Sequence, residues 1–417
     1  MSQNNLLLFN LVKLNSILLF FLPISLLIGT LISEIIINLI VINFLVNSII
    51  KKNWQWTKTK EFKILVIFWF YLIINFILAA SPILSATRSI FFIRFVIFVF
   101  AVVEIFKDKK FEKIIFSFWM VIILTISFDI YIEFIYGKNL IGNSSDYPGR
   151  ISSFLGKELK IGHFVYSLFL PIFSFFLLSL NNKINKDKNY FSTIIFIGII
   201  FCMSSIILTG ERSNSIKAIF CFFLFFILMK NFVIQRRILF IISLIIFLTF
   251  LLFNKERLRI YSDYTKLHNN NFNYTEYLKE SLHGGHYITA WKIFKNYPYF
   301  GIGNKNFRIE CNKEIYLDNN YKHSEYRCAT HPHQIYLELL SELGIVGFLI
   351  ILYFIINILI KSFINYFKNY NPILMSCALF VFSTFMPLIP SGSFFTSFGA
   401  GLFWLNVGIL MSNIDKK

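Results

Sequence analysis

The sequence predicts an all-α polytopic integral membrane protein, with about twelve transmembrane helices and one large periplasmic loop subdomain. Hydrophobic residues make up 56% of the 417 positions, and only 15% are charged, whereas soluble proteins carry about 25% charged residues. The apolar residues also cluster into runs long enough to cross a bilayer, for which about 20 residues suffice. The chain therefore has too little polar surface for a soluble protein and enough apolar segments for a multi-pass one.

The apolar runs divide the chain into spans and linkers. No small-residue cleavage site follows the first run, so no cleavable signal peptide is expected. The expected spans lie near residues 5–22, 24–49, 62–80, 83–106, 114–136, 162–180, 191–209, 214–230, 237–253, 335–360, 372–389 and 393–412.

Lysine-rich linkers alternate with linkers that lack them. The basic groups lie near residues 51–63, 107–113, 183–188, 230–237, 361–368 and 416–417. Because cytoplasmic loops carry the excess of Lys and Arg, this alternation places both termini in the cytoplasm. The formal charge of +18 is then a topology signal, and we expect membrane lipids rather than nucleic acid as partners.

Two of the segments on the opposite, periplasmic side are long, near residues 137–161 and 254–334. Loops of such length are usually functional or disordered. The second contains "YITAWKIFKNYPYF", whose aromatic residues and helical periodicity favour a folded subdomain. We therefore predict an N-terminal bundle of about nine helices (1–253), a periplasmic subdomain (254–334) and C-terminal transmembrane helices (335–417).

Two of the five cysteines, Cys311 and Cys328, lie in this external loop. In an oxidising compartment they are expected to form a disulfide, which would contribute roughly 3 kcal/mol in the chain-entropy model. The alternative is two unpaired thiols. The remaining cysteines lie inside spans and are expected to be buried apolar residues.

Several ionisable residues fall within predicted spans, where an unpaired charge costs several kcal/mol. Arg94 is near mid-span and Arg88 is closer to the external end, while Glu34, Asp129 and Glu133 lie at comparable depths in other spans. Arg94 could pair with Glu34 or Asp129 and stabilise the bundle. Alternatively, Arg94 and Arg88 could form the floor of a site for an anionic ligand.

Two further arginines are predicted at the external membrane surface. In "ILTGERSNSIKAIF", Gly210 supplies a tight turn and Ser213 could cap the following helix, so Arg212 would project from a rigid hairpin. Arg150 is similarly placed, just before the predicted span near 162–180. The two could converge on a phosphate-bearing ligand, because guanidinium binds phosphate bidentately and keeps its charge. Contact with lipid headgroups is the simpler alternative.

The stretch "HPHQIYLELLSELGIVGF" (331–348) places two histidines at the mouth of a membrane helix. Proline is favoured at the first helical position, so we predict that His331 caps the helix and that His333 lies in its first turn. The helix dipole there would keep His333 neutral and able to act as a general base. The alternatives are plain interfacial polar residues and, more weakly, a metal site, for which spacing identifies no third ligand.

These motifs resemble the O-antigen ligase/polymerase family. "HPHQIYLELLSELGIVGF" is similar to the His-Asn-x-Tyr-Leu…Glu-x-Gly-x-x-Gly signature that ends that family's periplasmic loop, with Gln334 in place of the usual Asn. "AWKIFKNYPYFGIGNKNFRIEC", "TGERSNSI" and "RISSFLGKELKIGHF" resemble its preceding segment, its arginine turn and its earlier loop. The likeness covers roughly residues 145–350.

The resemblance implies a membrane glycosyltransferase that takes a glycan from undecaprenyl pyrophosphate and joins it to an acceptor hydroxyl. It implies that Arg212 holds the pyrophosphate and that His333 orients or deprotonates the acceptor; Arg150, Arg94, Arg88 and His331 are our additional substrate-binding candidates. We expect an inverting reaction on the periplasmic face with no metal or other cofactor.

Three functions remain open from the sequence alone. The first is a ligase acting on a lipid A core, in lipopolysaccharide biosynthesis, and the second is a polymerase of carrier-linked repeats; a protein acceptor is also known among relatives. The third is a flippase or transporter without chemistry, which predicts internal symmetry and broken helices in matching halves. Neither feature is evident in the sequence.

Overall fold

The computed structural model describes residues 3–181, 188–231, 281–318, 320–321 and 323–414, together with the isolated positions 268, 271, 273 and 276, and every regular element among them is helical. The α-helices are α1 (Gln3–Ile28), α2 (Thr30–Lys51), α3 (Lys60–Ile77), α4 (Pro82–Ile90), α5 (Ile93–Ile105), α6 (Lys109–Tyr136), α7 (Ile161–Asn181), α8 (Lys188–Leu208), α9 (Arg212–Leu228), α10 (Leu282–Asn296), α11 (Phe307–Glu310), α12 (Ile335–Asn369), α13 (Pro372–Thr384) and α14 (Ser397–Ile414). Short 3-10 turns lie at Gln55–Lys58, Ser153–Leu155, Glu314–Tyr316 and Ser324–Tyr326.

Each predicted span within the described residues coincides with helix, and the span near 83–106 consists of α4 and α5 in succession. Eight stretches of the described chain are long and apolar enough to cross a membrane. Helices α3, α9 and α13 lie at predicted spans but are shorter or more charged. The predicted span near 237–253 lies outside the described residues. The described part of the chain is thus all-helical, as expected for a multi-pass membrane protein.

Polar residues immediately before several helices explain where those helices begin. Their side chains accept hydrogen bonds from backbone N–H groups of the first turn, which have no partner within the helix. Thr59 caps α3, Asp108 caps α6, Ser281 caps α10, Gln334 caps α12 and Asn371 caps α13. Gly137 ends α6 in the left-handed conformation, with φ of 75°, as helix C-termini commonly require.

The helices form one bundle with a largely aromatic and aliphatic interior. Trp119 and Trp404 are fully buried in it, and Phe92 makes an edge contact with Trp404 at a ring-centroid distance of 5.6 Å. Large apolar side chains such as Leu31 and Ile67 remain exposed on the outside of the bundle. Exposure of so many apolar side chains to water would be unfavourable, whereas lipid tails in a bilayer would cover them.

Helix α12 carries a break that holds the segment before it, predicted to be external and here called the external segment, onto the bundle. Gly344 has φ of 66° and ψ of −175°, inside the helix, and a Cβ there would lie 2.2 Å from the carbonyl oxygen of Tyr299. Across this break, the Ile345 N–H donates to the Pro298 carbonyl (2.8 Å) and the Gly303 N–H donates to the Glu342 carbonyl (2.9 Å). Gly344 thus packs against Tyr299 and Phe300 of the external segment. Glycines in membrane helices more often permit close packing against a neighbouring span.

Glu342 and Gly347 complete this attachment. The Glu342 carboxylate accepts from the backbone N–H groups of Lys305 (2.7 Å) and Phe307 (3.2 Å). A Cβ at Gly347 would lie 2.4 Å from the ring of Tyr71 on α3, so this glycine does permit close packing against another span. The Glu-x-Gly-x-x-Gly pattern therefore positions the external segment relative to the membrane helices.

Candidate active site

A cavity of about 550 Å³ opens where the ends of several helices meet on the side of the bundle that the sequence predicts to be external. Its wall comes from the segment before α7, the turn before α9, the start of α10, the segment before α12 and the connection from α13 to α14. Arg150, Arg212, His331 and His333 all line this cavity. Four of the side chains singled out from the sequence, separated by up to 183 positions, therefore share one pocket.

Arg94 and Arg88 lie elsewhere, beside Glu34. The Arg94 guanidinium forms two contacts of 2.8 Å with the Glu34 carboxylate, and its Nη1 donates to the Phe91 carbonyl at 2.7 Å. The Arg88 Nη1 lies 3.8 Å from the same carboxylate and 2.5 Å from the Ser397 hydroxyl. Neither lines the cavity, so of the two interpretations the structure favours the ion pair that stabilises the bundle.

Asp129 and Glu133 organise the loop that carries Arg150. Asp129 accepts hydrogen bonds from the Leu140 N–H (2.7 Å) and from the Ser153 hydroxyl, and Glu133 accepts from the Ser153 N–H (2.7 Å). These carboxylates therefore pair with loop donors and not with Arg94. They hold the loop between α6 and α7 in place.

A tight junction between two loops brings Arg150 and Arg212 to the same cavity. Gly210 has φ of 70°, and a Cβ there would lie 2.1 Å from the Gly149 carbonyl oxygen. The Ile151 N–H donates to the Thr209 carbonyl at 3.1 Å, and Arg150 Nη2 donates to the Leu159 carbonyl at 2.8 Å. The turn at Gly210 is as predicted.

Glu211, which sequence reasoning overlooked, stabilises this junction. It is the N-cap residue of α9, so Ser213 lies within the helix and is not the cap that the sequence suggested. Its buried carboxylate accepts from the N–H groups of Gly162 (2.6 Å) and His163 (3.1 Å) at the start of α7, and from Asn214 Nδ2 (2.6 Å). The same acidic residue therefore ties the first turns of α7 and α9 together.

The histidines of the external segment form a cluster that the sequence did not reveal. The ring of His333 lies 4.1 Å from that of His331 and 5.4 Å from those of His283 and His286, between centroids. His283 and His286 lie one turn apart on α10, and their spacing in "LHGGHYITAW" was the available signal in the sequence. Within the described chain, no three His, Cys, Asp or Glu side chains are placed to hold a metal ion.

The start of α12 differs from the prediction. Gln334 is the N-cap, with its side-chain oxygen accepting from the Leu337 N–H at 2.8 Å, so Pro332 precedes the helix and His331 is not its cap. His333 also lies outside the first turn, with φ of 59°. That left-handed conformation is uncommon for a residue other than glycine, and such residues cluster at functional sites. The amide of Gln334 thus caps the helix.

Hydrogen bonds to backbone carbonyls indicate which ring nitrogens of two histidines carry a proton. A carbonyl oxygen only accepts. His286 Nδ1, 3.0 Å from the Arg327 carbonyl, and His331 Nε2, 3.4 Å from the Ser391 carbonyl, are therefore N–H donors. His331 Nδ1 lies 3.0 Å from the Thr330 hydroxyl, so both of its nitrogens have protein partners. By contrast, no described residue hydrogen-bonds to the ring of His333.

Burial lowers the pKa of all four histidines of the cluster. It lowers the pKa of His333 to about 4, with additional lowering by His283 and His286. Burial likewise lowers the pKa of His331 to about 3 and that of His283 to about 4. The neutrality expected of His333 is therefore produced by desolvation and its neighbours, and not by a helix dipole.

Residues 195–352 match the family model described as O-Antigen ligase. This region of the chain is therefore similar to the O-antigen ligase family. The match covers the arginine turn, the histidine cluster and the break at Gly344, whereas Arg150, Arg94 and Arg88 precede it. No curated protein matches the chain.

The match supports an O-antigen ligase/polymerase-type membrane glycosyltransferase as the general class of this protein.

A disulfide joins Cys311 to Cys328, with 5.3 Å between their Cα atoms. Arg327 supports the joined segments, since its Nε donates to the Cys311 carbonyl at 2.9 Å. The bridge connects the end of α11 to the segment that leads to His331 and His333 in the cavity.

Proposed function

We propose that this protein transfers a glycan from undecaprenyl pyrophosphate to an acceptor hydroxyl on the periplasmic face of the bacterial inner membrane, acting as a ligase with a lipid A core as acceptor. The observation that carries the proposal is a single cavity that combines two arginines, Arg150 and Arg212, with a neutral histidine, His333. An anion site and a base for a hydroxyl are what such a transfer needs.

The acceptor oxygen attacks the anomeric carbon of the donor glycan from the side opposite the pyrophosphate. The bond between that carbon and the pyrophosphate oxygen breaks, its electron pair leaves with undecaprenyl pyrophosphate, and the acceptor proton passes to a ring nitrogen of His333. One displacement inverts the anomeric configuration and needs no covalent intermediate. His333 is suited to this role because its neutral ring has no hydrogen bond to any residue that the structure describes.

Arg212 and Arg150 stabilise the departing pyrophosphate. Negative charge grows on the leaving oxygen as the bond breaks, and preorganised donors in a partly enclosed site stabilise such charge strongly. The junction at Gly210 provides the preorganisation, because it holds both loops by backbone contacts. Two guanidinium groups supply positive charge without a metal ion.

Reconstitution of the purified protein in vesicles tests the proposal. The donor is an undecaprenyl-pyrophosphate glycan, and the acceptors are lipid A core or a second carrier-linked repeat, offered separately. We expect extended lipid A core, with the new linkage of opposite anomeric configuration by NMR. Extension of the carrier-linked repeat alone would make the protein a polymerase. Movement of the donor across the vesicle membrane without a new glycosidic bond would make it a flippase.

A deletion strain gives an independent test of the acceptor. Loss of a ligase leaves long glycan chains that are not attached to the core, whereas loss of a polymerase leaves a single repeat on the core. Complementation with the wild-type gene should restore the original profile, and complementation with His333→Ala should not.

A further inference from the structure

Lys217 is a buried cation inside a membrane helix and lines the same cavity. Only 5% of its surface is exposed. It lies on α9, five residues beyond Arg212, which places its Cα about 7.5 Å deeper along the helix axis. The proposed mechanism above does not use it.

This lysine has no counter-ion among the residues that the structure describes. The two acidic side chains that line the cavity are engaged elsewhere: Glu211 with backbone groups of α7 and with Asn214, and Glu158 with Lys160 at 3.0 Å. An ammonium group in such a place costs several kcal/mol unless an anion accompanies it. A ligand in the cavity can supply that anion.

The surroundings of Lys217 indicate which end of a ligand would lie beside it. Like Lys217, several residues of the cavity wall lie within spans, including Tyr166 and Phe380, whose rings lie 5.1 Å apart. Arg150 and His333, by contrast, come from segments between helices. The cavity thus has an inner end with Lys217, aromatic walls and His163, whose ring lies 6.4 Å from that of Phe380, and an outer end with the arginines and the other histidines.

We infer that Lys217 binds the lipid-side phosphate of the carrier, while Arg212 and Arg150 bind the sugar-side phosphate. This inference rests on the proposed function for the identity of the donor. The isoprenoid chain must lie in the bilayer, so the phosphate attached to it lies deeper than the one attached to the glycan. A cation one to two turns below Arg212 meets that deeper phosphate and holds the anomeric carbon at the height of His333.

Two short carrier analogues separate the two phosphates. Farnesyl monophosphate has only the lipid-side phosphate, and farnesyl diphosphate has both. Their affinities are measured on the full-length protein in nanodiscs, for the wild type, Lys217→Gln, Arg212→Gln and the control Lys230→Gln. Lys230 follows α9 at its other end, where its Nζ donates to the Phe367 carbonyl at 3.0 Å.

We expect Lys217→Gln to weaken both analogues by a similar factor of about 10 to 100, the range for a lost charged hydrogen bond. Arg212→Gln should weaken the diphosphate more than the monophosphate, and Lys230→Gln should change neither. The inference is overturned if Lys217→Gln leaves both affinities within about twofold. It is also overturned if only diphosphate binding is lost, because Lys217 would then serve the sugar-side phosphate.

Thermal stability distinguishes a ligand-binding lysine from a structural one. Removing an unpaired buried charge relieves its desolvation cost, so Lys217→Met, which keeps an apolar stem of similar length, should melt no lower than the wild type without ligand. A clear drop in its melting temperature would identify a structural role and overturn the inference. Analogue binding that depends on Lys217 in a protein that transfers no glycan would refute the proposed function alone.

Discussion

The pH dependence of transfer tests the role of His333 most directly. A general base must be neutral to accept a proton, so activity is retained above its pKa and lost as the pH falls through it. Burial, with the nearby His283 and His286, lowers the pKa of His333 to about 4. We therefore predict that the rate of glycan transfer is flat from pH 8 down to about pH 5.

The size of the difference follows from the pKa. A histidine with the ordinary pKa of about 6.5 is only about one quarter neutral at pH 6, which would lower the rate about fourfold relative to pH 8. With a pKa of about 4, His333 is about 99% neutral at pH 6, so the rate should stay within about 10% of its value at pH 8. Replacement by alanine should reduce the rate by about 10²- to 10⁴-fold at every pH in this range.

The assay follows single-turnover transfer by the purified protein at saturating donor and acceptor, from pH 8 to pH 4.5. Samples returned to pH 8 after each exposure check that any loss is reversible. A reversible fall centred near pH 6.5 would refute the buried, neutral base. Full activity of His333→Ala would refute a catalytic role for this histidine altogether, whatever the pH profile.

Three further outcomes are expected. Arg212→Lys and Arg212→Ala should both lose at least about tenfold in transfer, because a lysine keeps the charge but not the bidentate geometry; near-normal transfer by the lysine variant would contradict this. Cys311 and Cys328 should resist a thiol reagent until a reductant is added, as mass spectrometry can show. Gly344→Ala should lower the melting temperature, since its Cβ would meet the Tyr299 carbonyl at 2.2 Å, whereas Gly29→Ala, with open space around it, should not.

The membrane helices were predictable because the sequence encodes them locally. A run of about 20 apolar residues is sufficient evidence for a span, and polar caps such as Asp108 and Asn371 set the first turns. The beginning of α12 was misplaced for a local reason as well. Proline at 332 is compatible with a first helical turn, but Gln334 supplies the side-chain hydrogen bond that decides the boundary.

The cavity was only partly predictable, because its contacts join distant parts of the chain. Arg212 and His333 stood out since a charge or a titratable ring at a membrane surface needs a reason. Glu211 did not stand out in the sequence, because its partners Gly162 and His163 lie 49 and 48 positions earlier in the chain. For Arg94 the sequence left an ion pair and a ligand site both open, because its possible partners, including Glu34 at 60 positions away, are distant in the chain.

The break in α12 makes insertion of the chain into the bilayer and folding of the external segment interdependent. The backbone groups around Gly344 are satisfied by residues 298–303, and hydrocarbon offers no replacement for those hydrogen bonds. This helix can therefore reach its final form only after the preceding external residues have docked on it. It follows that the external segment cannot be transplanted as a module onto another membrane frame: a chimera would have to carry α12, and the Tyr71 surface of α3 against which Gly347 packs, along with it.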